Sequence, residues 1–408
     1  MFKTLAPLAL FTNSAVSPLF LSRLVSSAGV GFGQLALAWG VMNLGHGPAA
    51  LSLVMACKAA PALLMLLTGI IGDRLRRHHV LIAAELLATV AWLALGACFV
   101  TETAPLPLLC GLAALSGVAT ALFLPTIRGI VADLLTGDSR PAGNALVSQT
   151  ESVGLLIGLA SSGVVVSTVG AGWAASARGV LCAASALLLC LLKTSRQDRG
   201  SGMLQDLRVG WRQFAACRWA WTMALQFTAL IVAVACFTDV IGPMYMEQGH
   251  GGARGWGIIA ACEAFGALAG ALVGARLRTP KPVFVATMLP ASAAIPMLLV
   301  WGGVPWLVIA MAIFIPGVCQ AAYYVLWTTS LQDHFPRDVL VRVNSWSIVT
   351  SYLLTPIVLV VVGPVIEGVG PQNAALSAGF LVLIATGAAL LSIRSVATTS
   401  PKVAVSFP

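Results

Sequence analysis

The chain has 408 residues, of which 59% are hydrophobic and 9% are charged, with a formal net charge of +9 and a mean hydropathy of +0.94. Soluble domains carry about 25% charged residues, so this composition excludes an ordinary soluble fold. Long stretches without any Asp, Glu, Lys or Arg include 24–57, 103–127, 152–177, 282–332, 343–366 and 368–393. A membrane helix needs about 20 mostly apolar residues, and no strand-like alternation appears. We therefore predict an all-α, polytopic membrane protein.

Twelve hydrophobic spans follow one another along the chain, six before and six after one long polar segment. They are predicted at Pro18–Leu44, Pro48–Ile71, Val80–Val100, Pro107–Leu134, Gly143–Val169, Trp173–Leu192, Trp219–Met246, Gly255–Leu277, Pro282–Trp301, Pro305–His334, Asn344–Ile366 and Asn373–Ile393. The expected domains are a six-helix bundle at 1–193, a linker at 194–218, and a second six-helix bundle with a short tail at 219–408.

Loop charges predict the orientation in the membrane. Nineteen Lys and Arg residues fall on the side that holds both termini and the linker, whereas the opposite loops hold only Arg254. Because basic loops stay in the cytoplasm, we expect both termini to be cytoplasmic and the protein to lie in the cell membrane. These loops also account for the net positive charge, so no nucleic-acid partner is expected.

The two halves share short matches in the same order, which indicates an internal duplication. The turn at 45–47 recurs at 249–251, and Ala56-Cys57 recurs as Ala261-Cys262. Four further residues recur 200 positions later, namely Asp133, Asp138, Asn144 and Gly170. Two six-helix pseudo-repeats joined by a hinge are typical of carriers that bind their substrate between the halves.

Catalytic and cofactor-binding patterns are absent from the sequence. The nine cysteines lie singly and form no CxxC or Cys/His cluster, so no metal site is predicted. No GxSxG, HExxH or Walker-type loop occurs. We expect no enzyme and no cofactor, and transport would draw on a gradient such as that of protons.

Charged residues inside predicted spans are functional candidates, because such charges are costly in a bilayer. Lys58 and Glu263 lie near mid-membrane at equivalent positions of the second and eighth spans. Glu263 is our first candidate for proton coupling. It either approaches Glu151 in the fifth span or forms a structural pair with Lys58.

The other in-span charges that we consider include Glu151 again and leave alternatives open. Arg128 and Glu151 lie on consecutive helices, where they form either a functional group or a structural ion pair. Glu85, in the third span, is either a coupling candidate or a solvated helix end. Asp239, in the seventh span, is a further coupling candidate.

The loop after the second span carries a recognisable charge pattern. It reads Gly69-Ile70-Ile71-Gly72-Asp73-Arg74-Leu75-Arg76-Arg77. This resembles the GxxxDRxGRR signature of the major facilitator superfamily, with Arg76 where the family has glycine. The resemblance implies a charge lock, formed by Gly69, Asp73, Arg74, Arg76 and Arg77, that helps to hold the outward-facing state.

The fifth span contains small residues four apart, at Gly154, Gly158 and Gly163, which allow helices to approach closely. It resembles the GxxxGPxxGG antiporter signature of the same superfamily, with Leu159 in place of the proline. The run 123–128 and the start of the first span at 21–23 resemble the branch of macrolide and enterobactin exporters, which are drug:proton antiporters.

Aromatic residues in the cavity-lining spans are candidates for substrate contact. They are Phe32, Trp39, Phe123, Tyr323, Tyr324 and Trp327, with Gln320 one turn before the last three. These features predict a monomeric carrier that exports a small, partly hydrophobic compound (a drug, siderophore or natural product) in exchange for protons. The alternative is an uptake symporter or a lysolipid-flipping carrier of the same fold.

Overall fold

Apolar helices make up nearly all of the computed structural model, which describes residues 13, 16–64, 76–135, 139–192, 218–334 and 354–397. These ranges contain no β-strand. Ten of their helices are long and apolar enough to cross a membrane, and Pro48–Leu63 is a shorter apolar helix. The predicted all-α polytopic fold is confirmed.

The first half contributes helices α1 to α6. Their bounds are Ser17–Asn43 (α1), Pro48–Ala59 (α2), Arg77–Val100 (α3), Leu106–Leu134 (α4), Ser139–Thr168 (α5) and Ala171–Cys190 (α6). A 3-10 turn at Ala60–Leu64 continues α2. Proline in the first turn favours the start of α1, α2 and α4, because its missing N–H has no helical partner at that position.

The second half contributes α7 to α12, several of which are interrupted. Helix α7 comprises Arg218–Cys236, a π-helical turn at Phe237–Ile241, and Gly242–Glu247. Helix α8 is Gly252–Arg276. Two further helices are each made of pieces, with α9 at Pro282–Met288, Leu289–Ala293 and Ala294–Trp301, and α10 at Trp306–Ala312 and Phe314–His334.

One continuous helical run, Thr355–Ala397, contains the last two helices. It breaks at Gly370, which has a φ of 83°, so that α11 precedes this glycine and α12 follows it. Gly170 separates α5 from α6 in the same way, with a φ of 103°. Because side chains with a Cβ rarely adopt such a φ, the two glycines make equivalent corners 200 positions apart.

Successive helices run in opposite directions, so the bundle has two ends. We call the end where α6 stops and α7 starts the linker side, and the opposite end the far side. The halves meet mainly through two helix pairs, α5 with α8 and α2 with α11. The second pair is close enough that Gly363 lies directly against Ser52.

The buried apolar residues form three clusters that differ between the two ends. The largest is on the far side and joins both halves, with Trp39, Leu51 and Tyr245 among its members. On the linker side, one cluster around Phe20 belongs only to the first half. Another, around Trp327, belongs only to the second. Among the described residues, the two halves therefore share an apolar core on the far side and not on the linker side.

A repeated close contact supports the duplication in the structure. Gly117 of α4 lies directly against the backbone carbonyl of Lys58 in α2, and Gly317 of α10 lies directly against the backbone carbonyl of Glu263 in α8. The glycines are 200 positions apart, and the charged residues are 205 apart. The same helix-packing device therefore holds one charged residue at mid-depth in each half.

Candidate functional site

Lys58 and Asp239 bring opposite charges together across the two halves. Lys58 lies near the end of α2, ten residues from its far-side start, which corresponds to about 15 Å of helix. Helix α2 packs against the π-helical turn that carries Asp239. Both side chains are half-buried, and Asp239 is the acidic group that acts on Lys58. The proposed pairing of Lys58 with Glu263 is therefore wrong, because α2 presents Lys58 to α7 instead.

Arg178 is a further cation inside a span of the first half, and our sequence analysis passed over it. It lies in α6 and is 8% exposed. Its guanidinium carbon is 4.7 Å from the centre of the Trp92 ring, and Gly33 of α1 lies directly against its side chain. Nε and Nη1 of Arg178 have no hydrogen-bond acceptor in the described part of the chain. A charge inside a predicted span was the signal that should have identified it.

Glu263 lies in the middle of α8 and is half-buried. Within the described ranges it has neither a hydrogen-bond partner nor a charged neighbour. The expected approach of Glu263 to Glu151 does not occur. Glu151 is engaged elsewhere, so the two carboxylates belong to separate environments.

Glu151 of α5 forms an ion pair with Arg23 of α1. Arg23 donates from Nε to Oε1 of Glu151 at 2.9 Å, and its Nη2 is also 2.9 Å from that oxygen. The guanidinium carbon of Arg23 lies 4.6 Å from the centre of the Phe123 ring. The sequence pointed to Arg128 as the partner of Glu151. The structure assigns that role to Arg23, while the side chain of Arg128 lies outside the described part.

Glu85 of α3 is buried, with an exposed fraction of 3%. Its Oε1 accepts a hydrogen bond of 2.9 Å from the hydroxyl of Ser185 in α6. The interpretation of Glu85 as a solvated helix end is therefore wrong. Since α3 starts at Arg77, Glu85 is already more than two turns inside the helix.

The described part of the chain includes only two residues of the proposed charge lock, Arg76 and Arg77. Gly69, Asp73 and Arg74 lie outside the described residues. Arg76 is exposed at the start of α3. The first residue of that helix, Arg77, donates from Nη1 to Oδ1 of Asp133 and to the carbonyl of Gly129, each at 2.8 Å. This ion pair holds α3 against α4 on the linker side.

The three glycines of α5 lie at close helix contacts, but in two different interfaces. Gly154 and Gly158 lie directly against the backbone of α1 around residues 24–28, within the first half. At Gly163, an added Cβ would lie 2.9 Å from Ala253 O and from Gly257 Cα, in the second half. Gly163 therefore belongs to the interface between the halves.

The three aromatic candidates for substrate contact in α10, Tyr323, Tyr324 and Trp327, do not share one surface of the helix. Tyr323 and Trp327 are buried, and Tyr323 stacks on Phe227 of α7 with ring centres 5.2 Å apart. Tyr324 is 55% exposed. Adjacent helical residues point about 100° apart, so Tyr324 faces away from this pair. Tyr323 and Trp327 belong to a packed core, and Tyr324 does not share their surface.

The other cavity candidates have different surroundings. Phe32 and Gln320 are half-buried. Phe123 is buried beneath Arg23. Trp39 is buried on the far side and donates from Nε1 to Oε2 of Glu247, at 2.7 Å. Trp39 therefore closes the far side rather than lining an open cavity.

Two carboxylates of the second half bind donors of the first half on the far side, and the sequence did not single out either. One is Glu247, the partner of Trp39. The other is Glu367 of α11, whose Oε1 accepts from the backbone N–H of Ala49 at 3.1 Å. Ala49 is in the first turn of α2, where a negative charge is favourable. Both contacts hold the halves together on the far side.

An apolar groove of about 470 Å³ lies where α5, α8 and α10 meet. Its lining residues include Ala160, Cys262 and Phe265. Phe265 and Met311 on its rim are 55% and 70% exposed. In the described ranges, no group of three or more His, Cys, Asp or Glu could hold a metal ion.

Comparisons with known proteins agree with this architecture. The profile of the Major Facilitator Superfamily matches residues 19–358. No curated protein matches the chain in sequence. One similar solved structure is a bacterial homolog of the human lysosomal transporter Spinster, inward-facing and unoccupied, with 14% identity and a TM-score of 0.71 over 95% of this chain and 98% of that one.

Two further structures show the same likeness. The nucleoside transporter NupG has 13% identity and a TM-score of 0.72, over 92% of this chain and 99% of that one. The D-xylose-proton symporter has 12% identity and a TM-score of 0.72, over 93% and 97%. At such identities the likeness concerns the fold.

Proposed function

Because the chain belongs to the major facilitator superfamily, we propose that it exports a small, partly hydrophobic compound in exchange for protons. The family and fold make it a multi-pass membrane transporter of a small molecule rather than an enzyme. In our proposal it works as a monomer in the cell membrane, with both termini and the linker side in the cytoplasm. The substrate is of the kind represented by drugs, siderophores or natural products.

The distribution of the apolar clusters is the observation that supports alternating access. The far side has one core shared by both halves, whereas the linker side has a separate core in each half. Rocking the halves about the α5–α8 and α2–α11 contacts can open one end as the other closes, without unfolding either linker-side core. A central site would then face the two sides in turn.

Proton exchange needs a carboxylate that changes its protonation state during the cycle. Glu263 is our first candidate, because it is half-buried at mid-depth and has no charged neighbour among the described residues. An ionised carboxylate in such a place is costly. Glu151 and Glu85 are weaker candidates because each is bound by a neighbouring side chain. Asp239 faces Lys58.

Export rests on the resemblance of α5 to the antiporter signature. Its glycines lie at the α1 and α8 interfaces, where a change in helix packing would accompany a change of state. The decisive experiment is compound accumulation in cells with and without the protein, each with and without a protonophore. Export predicts lower accumulation with the protein, and loss of this difference with the protonophore. Gradient-dependent uptake would contradict it.

A lysolipid-flipping carrier or an uptake symporter is the second candidate. The apolar groove at the α5–α8 contact favours the first of these, because it lies between the halves and its rim is exposed on the membrane-facing surface. The likeness to a D-xylose-proton symporter is compatible with the second. A fluorescent lysolipid in proteoliposomes tests the lipid activity directly: protein-dependent flipping supports the lipid carrier and contradicts a soluble substrate.

A further inference from the structure

Helix α7 contains a π-helical turn, Phe237–Ile241, between its linker-side part and its far-side part. Here the N–H of Gly242 donates to the carbonyl of Phe237, five residues earlier instead of four, so the turn holds one residue more than regular α-helix. We propose that this turn is a register switch: when it tightens into α-helix, the far-side part of α7 rotates, Glu247 leaves Trp39, and the far side opens. The inference rests on the proposed alternating access only in making far-side opening a step of transport.

The first argument is the proline that follows the turn. Pro243 has no N–H, and in a regular α-helix its ring would press against the carbonyl of Asp239, four residues earlier. In the π-helical form, the chain makes the five-residue hydrogen bond of Gly242 instead. Each form of α7 therefore has one defect, which is a widened turn in the first and a proline kink in the second. Two imperfect arrangements of one segment are what a conformational switch requires.

The second argument is that the closing contact of α7 depends on how its far-side part is rotated. Glu247 accepts a hydrogen bond of 2.7 Å from Nε1 of Trp39 in the other half. If the extra residue is taken up in α-helix, the far-side part turns by about 100° relative to the linker-side part. Met246 then lies at the angle that Glu247 holds now, and its thioether is only a weak acceptor. The hydrogen bond between the halves is therefore lost.

The third argument connects the turn to the contact between the halves. Gly242 lies directly against the Trp256 ring of α8, and Phe237 meets the same ring edge-on with 5.7 Å between ring centres. After the rotation, Ile241 lies at the angle of Gly242, and its side chain displaces Trp256. Helix α8 contacts α5 of the first half, and the π-helical turn itself packs against α1 and α2. A change of register is therefore felt where the halves meet.

The test measures backbone hydrogen exchange at residues 39–50 in the purified full-length protein. These residues belong to the first half, so the readout reports contact between the halves rather than the helicity of α7. Pro243→Ala supplies the missing N–H and favours the α-helical form. We expect exchange at 39–50 to become about tenfold faster, as for the loss of one charge-assisted hydrogen bond. Deleting Thr238 from the Pro243→Ala variant removes the extra residue and restores the present register in a regular helix, so exchange should return to the wild-type rate.

Pro290→Ala is the matched control, because Pro290 lies in the 3-10 turn of α9, which packs within the second half. Its exchange at 39–50 should equal that of the wild type. Unchanged exchange in Pro243→Ala overturns the proposal. Exchange that stays fast after the Thr238 deletion also overturns it, since the proline alone would then control closure.

If the deletion variant does not fold, an exchange of two neighbouring residues tests the register instead. Met246→Glu/Glu247→Met, added to Pro243→Ala, places the carboxylate where the α-helical form presents it to Trp39. Slow exchange at 39–50 should then return, and persistent fast exchange overturns the proposal. The measurement needs neither a substrate nor a gradient, so a failure of export or of proton exchange leaves its result unaffected.

Discussion

The indole of Trp39 in the first half donates a hydrogen bond of 2.7 Å to the carboxylate of Glu247 in the second half. This contact joins α1 to the last turn of α7 on the far side, where the halves also share their apolar core. It is a charge-assisted hydrogen bond, which contributes about 1.5–3 kcal/mol. The far side is therefore closed by a polar contact as well as by apolar packing.

Trp39→Phe removes the donor and keeps an aromatic ring. We expect the far-side-closed state to lose stability by about 1.5–3 kcal/mol, since this charge-assisted hydrogen bond is lost. Backbone hydrogen exchange around residues 39–50 and 244–252 should become several-fold faster. Glu102→Gln, in an exposed far-side loop, is the matched control. Unchanged exchange in Trp39→Phe would mean that apolar packing alone keeps this side closed.

Glu263→Gln mimics the protonated acid at almost constant volume. If Glu263 couples transport to protons, the variant should fold and bind substrate normally but lose transport against a gradient. The measurement compares gradient-driven transport with substrate exchange at equilibrium, which needs no proton turnover. Glu102→Gln is again the control. Normal uphill transport in Glu263→Gln would transfer the coupling role to Glu151, Glu85 or Asp239.

Asp73→Asn removes one charge from the proposed lock and keeps the side-chain shape. Transport should fall by a larger factor than the amount of folded protein, because the lock acts on a conformational step. The matched position of the second half is Ala275, which has no acid, so we expect the first-half loop to dominate. Transport rate per folded molecule is the quantity to compare. Wild-type transport kinetics in a well-expressed Asp73→Asn variant would contradict the proposed charge lock.

Much of the architecture follows from the sequence, because hydropathy and loop charge are summed over whole segments. The identity of charge partners does not, since it depends on how each helix is rotated against its neighbours. Glu151 binds Arg23 on α1, and no local spacing relates residues 128 positions apart. Helix rotation also decides the surroundings of neighbouring residues: Tyr324 adjoins Tyr323 in sequence but lies on a different helix face.

Trp327→Ala and Tyr324→Ala should differ in their effect on stability. Trp327 is 5% exposed in the core of the second half, and truncation of a buried tryptophan costs about 3–5 kcal/mol. Tyr324 is 55% exposed, so its truncation should cost well under about 1 kcal/mol. Thermal unfolding in detergent measures both. If Trp327→Ala leaves stability intact while Tyr324→Ala alters which compounds are transported, the assignment of Trp327 to core packing is wrong.

Gly163→Val and Gly158→Val test two interfaces of the same helix. The added side chain at 163 would collide with α8 in the other half, whereas at 158 it would collide with α1 in the same half. We expect Gly163→Val to impair transport with a smaller loss of folded protein, and Gly158→Val to reduce folding first. Gly111→Val, where an added Cβ meets open space, serves as the control. If Gly158→Val instead impairs transport with the smaller loss of folded protein, the interface that moves during transport is the one with α1.

The equivalent contacts of Gly117 and Gly317 place residues of opposite sign at matching depths, a lysine in the first half and a glutamate in the second. Arg178 adds to the positive side and Asp239 to the negative side. The two walls thus set up an electric field that runs parallel to the membrane plane. A dipolar cargo held between them has one preferred orientation, which does not reverse when the opening changes sides. Such a cargo crosses the membrane without turning end over end between the halves. This fixed orientation is a consequence of a duplicated helix contact whose two copies carry opposite charge.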